Sequence, residues 1–135
     1  MAARAGISLL VGIAAAAVVG LACVAWSAAE RRVGIGQEAK ALTGGDAERA
    51  PDLLTRYGCA GCHTIPGVPG ADGKVGPALS GLRERVYVGG VLRNTAGNLV
   101  AWIVDPHRVS PRSAMPATGI TEAEARDIAA YLYQH

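Results

Sequence analysis

The chain has 135 residues, half of them hydrophobic, with four tyrosines, two tryptophans and no phenylalanine. That length allows one small domain with something appended, and so few aromatics leave a thin core of Leu, Val, Ile and Ala. A formal net charge of +2 gives no footprint for nucleic acid, so a nucleic-acid-binding role is not expected.

Residues 7–28, ISLLVGIAAAAVVGLACVAWSA, carry no charge. A helix needs about 20 apolar residues to cross a bilayer, so this run is long enough. Three readings stand open. The run is an uncleaved anchor, and exceeds the roughly 7–15 apolar residues of a signal peptide. Or a signal peptidase cuts after Ala29, since Ser27 and Ala29 are small. Or Cys23 carries a lipid, although Gly20 three residues before it is a poor match, and a small apolar helix residue explains Cys23 equally well. Residues 1–29 are therefore read as anchor or signal, and the polar stretch 30–45, ending in Gly44-Gly45, as a linker with at most a helical turn in QEAKAL.

A soluble domain is expected over 46–135. Asp46 is a good N-cap, and Leu53, Leu54 and Tyr57 give an apolar face to a helix from about Ala47 to Tyr57, with Pro51 tolerated in its first turn. That helix leads into Cys59-Ala60-Gly61-Cys62-His63. A zinc site wants four ligands, usually from two such pairs, and the remaining Cys23, His107 and His135 form no second pair. A thioredoxin-like redox pair wants a βαβ context, which is not visible. Covalent haem attachment explains every member: both sulfurs bond to the porphyrin edge, and His63 lies under the iron. A buried porphyrin would also supply the large flat apolar body that the side chains lack.

The stretch TIPGVPGADGKVGP that follows is turn-rich. A second helix is predicted in TAGNLVAWIVDP, capped by Thr95, with Leu99, Trp102 and Ile103 on one face and Asp105-Pro106 as its end. HRVSPRSAMPATGI reads as an irregular loop holding Met115. A third helix starts at Thr121, where Thr121 and Glu124 form a capping-box pattern, and buries Ile128, Ala129, Tyr131 and Leu132. His135, the last residue, is expected to fray.

The order of helix, CxxCH, Gly76-Pro77-Ala78-Leu79, middle helix, Met115-Pro116 loop and final helix with Tyr131-Leu132 resembles a class I c-type cytochrome. More narrowly, LTGGDAERA…YGCAGCHTIPG, VGPALSGL and NTAGNLVAWIVDPHRVSPRSAMP resemble the cytochrome c domain fused to subunit II of caa3-type cytochrome c oxidases. The resemblance implies an all-α class I cytochrome c fold, three to five short helices around one covalent haem c, behind an N-terminal transmembrane helix. These 135 residues leave no room for that subunit's copper domain, so the expectation is the haem module alone on its own anchor.

For the site, the resemblance implies Cys59 and Cys62 as attachment points, His63 as proximal ligand, and the carbonyl of Pro77 as partner of the other His63 nitrogen. Met115 is the candidate sixth ligand, because a thioether favours reduced iron and only Met1 competes for that atom type. Its alternative is an ordinary core methionine. His107 is the rival ligand, or an exposed loop histidine. Trp102 and Tyr87 read as core packing or haem contacts. Arg83, Arg85, Arg93, Arg108 and Arg112 read as solvated charges, one or more of which can pair with a propionate.

With both axial positions filled, no enzymatic chemistry is expected, only one-electron transfer. The resemblance implies a cytochrome bc1-type donor and a terminal cytochrome c oxidase as acceptor. It also implies a single-pass location in the bacterial cytoplasmic membrane, with the haem domain on the periplasmic side. Arg31 and Arg32 flank the span on that side, against the usual charge rule. Two other classes remain: the electron-accepting subunit of a periplasmic dehydrogenase, and a gas sensor or peroxidase needing a vacant sixth position.

Overall fold

The computed structural model describes residues 2–135, with side chains in the first helix from Gly12 onward. Met1 and the side chains of Arg4 and residues 7–11 lie outside the described residues. Helix α1 runs Ala2–Thr43. From Gly12 it is long and apolar enough to cross a membrane, and Ile13, Val18, Val19, Leu21 and Val24 are exposed along it. The chain divides into two units, Met1–Gly34 and Ile35–His135.

The stretch 30–45, expected as a tether, is helical as far as Thr43. Gln37 to Leu42 are good helix formers except where they meet Gly34 and Gly36, each of which costs about 1 kcal/mol in a helix. Burial decides in favour of helix: Ala39 is 0% and Thr43 1% exposed. Gly44 then ends α1 in the left-handed region, φ 70°, its N–H donating to the Lys40 carbonyl at 2.8 Å.

Asp46 caps a 3-10 turn at Ala47–Arg49, its carboxylate accepting from the Glu48 N–H at 3.1 Å. Helix α2, Ala50–Arg56, continues with Pro51 in its first turn and Leu53 and Leu54 buried. Gly58, at φ 72°, turns the chain into α3, Cys59–Cys62. A two-stranded antiparallel hairpin, β1 Tyr87–Val88 with β2 Leu92–Arg93, was not legible in the sequence, because two-residue strands have no period to read. Helix α4, Ala96–Val104, starts where Thr95 Oγ1 accepts from the Asn98 N–H at 3.2 Å. It buries Leu99, Val100 and Ile103, while Trp102 is half-buried.

Asp105-Pro106 ends α4 as expected, but the next residues are not irregular. Asp105 Oδ1 accepts from the N–H groups of His107 and Arg108, at 3.1 and 3.2 Å, and so caps a short helix α5, Pro106–Val109. Pro at the first helical position suits that role. Helix α6, Glu122–Gln134, carries the full Thr121/Glu124 capping box. It packs against α2, α4 and the 3-10 turn, and Ala125, Ile128, Ala129, Ala130, Tyr131, Leu132 and Tyr133 are buried along it. The core is aliphatic with these two tyrosines. The Tyr131 hydroxyl donates to the Pro66 carbonyl at 2.6 Å, and the Tyr133 hydroxyl to Asn94 Oδ1 at 2.9 Å. The chain's end is tied down rather than frayed: the His135 ring stacks on Tyr131 at 4.1 Å, and the His135 carbonyl accepts from the Gly81 N–H at 3.1 Å.

Candidate haem-binding site

Cys59 and Cys62 occupy one helical turn, both half-buried free thiols, and burial pushes the Cys59 thiol up from its ordinary value. Three apart on a helix, two side chains share a face. His63 leaves that turn in extended backbone, φ −117° and ψ 143°, while its N–H still donates to the Cys59 carbonyl at 3.0 Å. Its ring therefore swings away from the helix toward the 73–79 loop.

There it meets the Pro77 carbonyl, with Nδ1 2.7 Å from the oxygen. A carbonyl oxygen only accepts, so Nδ1 carries a proton, and in the neutral ring the lone pair then lies on Nε2. That is the tautomer a metal-ligating histidine requires, with its outer nitrogen fixed by a backbone partner. Gly76 lies against the same ring. A Cβ there would stand 2.3 Å from Cε1, 2.7 Å from Nδ1 and 2.9 Å from Nε2 of His63, so only glycine admits the imidazole. The Gly76 N–H in turn donates to the Cys62 carbonyl at 2.8 Å. Val75, beside it in sequence, is 82% exposed. Donor chemistry and cradle fit a haem held through Cys59, Cys62 and His63.

Several supports were not legible in the sequence. A Cβ at Gly73 would come within 2.6 Å of the Cys62 backbone carbon, and the Thr64 hydroxyl donates to the Gly73 carbonyl at 3.0 Å. Arg85, read as a solvated charge, is half-buried and donates to the carbonyls of Ala78 and Ser80, bracing the loop that presents Pro77. No local pattern marks an arginine for carbonyls five and seven residues upstream. Arg83 pairs with Glu38 rather than standing free in solvent. Trp102 covers Gly89, where a Cβ would meet the indole at 2.4 Å, and Tyr87 is exposed.

Met115 is half-buried on the 110–120 loop, its N–H donating to Ser113 Oγ at 3.1 Å. His107 is exposed and its Nε2 lies 3.1 Å from the Ser113 carbonyl, which makes it a donor to the methionine loop. Among the described residues, no three His, Cys, Asp or Glu side chains converge to hold a metal ion.

A short helical turn carries two thiols and leads directly into an imidazole whose Nδ1 is held by a backbone carbonyl, an arrangement suited to covalent haem attachment. A family model for cytochrome c matches residues 47–135, and the chain belongs to the cytochrome c family. The cytochrome c oxidase subunit 2 of Alkalihalophilus pseudofirmus (strain ATCC BAA-2126 / JCM 17055 / OF4) is 33% identical over 87 residues, covering 64% of this chain. The chain spans 25% of that relative's length. No solved structure matches the chain.

Proposed function

We propose that this protein is a membrane-anchored monohaem c-type cytochrome that passes single electrons in a respiratory chain to a terminal cytochrome c oxidase, or as a subunit of one. Cys59 and Cys62 would hold one haem covalently, and His63 and Met115 would ligate its iron. When bound, the haem supplies a one-electron iron couple. The remaining work falls to the polypeptide. Pro77 holds the His63 tautomer, Gly76 gives the ring its space, and the thioether of Met115 favours the reduced state.

The observation that carries this reading is the 2.7 Å contact of His63 Nδ1 with the Pro77 carbonyl, directly after the Cys59–Cys62 turn. The oxidase link is supported by the name of the relative. A cytochrome bc1-type donor and a periplasmic haem domain on a bacterial cytoplasmic membrane rest on the resemblance. Anchoring is supported by the apolar length of α1 and by Trp26, whose Nε1–H donates to Glu30 at 2.7 Å where charge begins, a residue type favoured at membrane interfaces.

The test is purification of the tagged full chain from membranes of a host that matures c-type haem. Haem that survives acid-acetone extraction, is lost in Cys59→Ala/Cys62→Ala, and co-purifies with oxidase subunits is the expected result. Dehydrogenase subunits in place of oxidase would overturn the partner; haem extracted from the unaltered chain would overturn the attachment.

A further inference from the structure

The end of α1 has more partners than a tether needs. Ala39 and Thr43 are closed off from solvent at 0% and 1% exposure. The Arg126 guanidinium donates to the Thr43 carbonyl at 3.1 Å, and Arg83 forms an ion pair with Glu38. Gly36 faces the Gln134 side chain, with its added Cβ only 3.7 Å from the amide nitrogen. Just past the helix, a Cβ on Gly45 would stand 2.0 Å from the Arg126 carbonyl oxygen, and the Asp46 N–H donates to Asp127 Oδ1 at 2.7 Å. These contacts reach both ends of α6 and the 81–84 turn. They use burial, charge and backbone together.

We infer that residues 35–43 are a docked part of the haem domain, so that the domain has a short attachment in place of a long tether. This rests on the anchoring reading above. Its consequence is a limit on reach. A free linker over 30–45 would extend to about 55 Å and average about 22 Å end to end. With 35–43 docked, only residues 29–34 lie between the apolar run and the domain. Six residues span at most about 20 Å when fully extended, and about 9 Å as helix. The partner must therefore bring its redox centre close to the bilayer surface beside this domain. That suits a neighbour in the same membrane better than one reached by a long arm.

Hydrogen exchange on the haem-loaded full chain in detergent micelles tests the docking. Amides of residues 38–43 should exchange at least tenfold slower than those of 30–34, and lose protection together with α6 as denaturant rises. A docked segment opens with the unit it packs on, whereas a frayed one opens alone. Ala39→Glu places a charge in the closed interface; it should speed exchange at 38–43 at least tenfold with the haem spectrum retained. Equal exchange at 30–34 and 38–43 in the unaltered chain overturns the inference, as does protection unchanged by Ala39→Glu. Anchoring is scored separately. If an alkaline carbonate wash strips the chain from vesicles while 38–43 stay protected, the anchor reading fails and the docking stands.

Discussion

Replacing Gly76 by Ala isolates the contact on which the site depends. The Gly76 φ lies outside the left-handed region, so an added methyl meets no backbone penalty, only the His63 ring. That methyl would stand 2.3 Å from Cε1, against an ordinary closest contact of 3.4 Å. The ring or the loop must yield by about 1.1 Å, since cores accommodate extra methyls only by such shifts. A shift of that size takes the 2.7 Å Nδ1–Pro77 contact toward about 3.8 Å, past hydrogen-bond range. Overpacking costs about 1–3 kcal/mol and the lost hydrogen bond about 0.5–1.5, so a loss of about 2–4 kcal/mol is expected. For a domain of this size that is a fall in Tm of about 10–25 °C. The assay is a melt of the full haem-loaded chain followed by haem absorbance. Gly97→Ala serves as control, because a Cβ there meets open space on a helix and should be neutral or slightly stabilising. If Gly76→Ala melts within about 2 °C of the parent with an unchanged spectrum, Gly76 does not shape the His63 site.

Met115→Ala should vacate the sixth position, lower the reduction potential and admit carbon monoxide to the reduced protein; an unchanged potential and no CO binding would remove Met115 from the ligand set. Asp127→Ala leaves the Asp46 N–H without the buried carboxylate oxygen it donates to at 2.7 Å and Arg49 without the partner of its 3.1 Å ion pair, and should cost about 2–4 kcal/mol in chemical denaturation. A loss below about 0.5 kcal/mol would show that solvent replaces it. Glu124 is held below its ordinary value of 4.5, first by the Thr121 hydroxyl, then by the Thr121 N–H and the Tyr57 hydroxyl. A depressed carboxylate contributes stability that is complete above 4.5 and lost as pH falls through the folded value. The Tm advantage of the parent over Glu124→Gln should thus shrink as pH falls below 4.5; a constant difference would contradict the linkage.

What could be read from the residues alone was whatever local chemistry fixes. The CxxC spacing of Cys59 and Cys62 fits one helical turn, and that turn forms. Thr95 and the Thr121/Glu124 pair start helices where their side chains reach orphan N–H groups three residues on, and both caps form as expected. The period of Ile128, Ala129 and Leu132 marks a buried face, and those residues are buried. Asp105-Pro106 shows the limit even of local signals: it ends one helix, and the same carboxylate begins another.

Tertiary structure decided what depends on partners far along the chain. Residues 30–43 are polar and interrupted by glycine, which by itself reads as a loose connection. The end of this stretch is held by Arg126, which lies 83 residues from the Thr43 carbonyl it donates to. The His135 carbonyl is held by the Gly81 N–H, far from it in sequence, beside a local stack on Tyr131. Gly76 and Arg85 likewise have meaning only once His63 and the 77–80 carbonyls surround them. Caps and periodicity act over three or four residues, so a sequence displays them; a buried contact needs two surfaces, and only folding brings the second one.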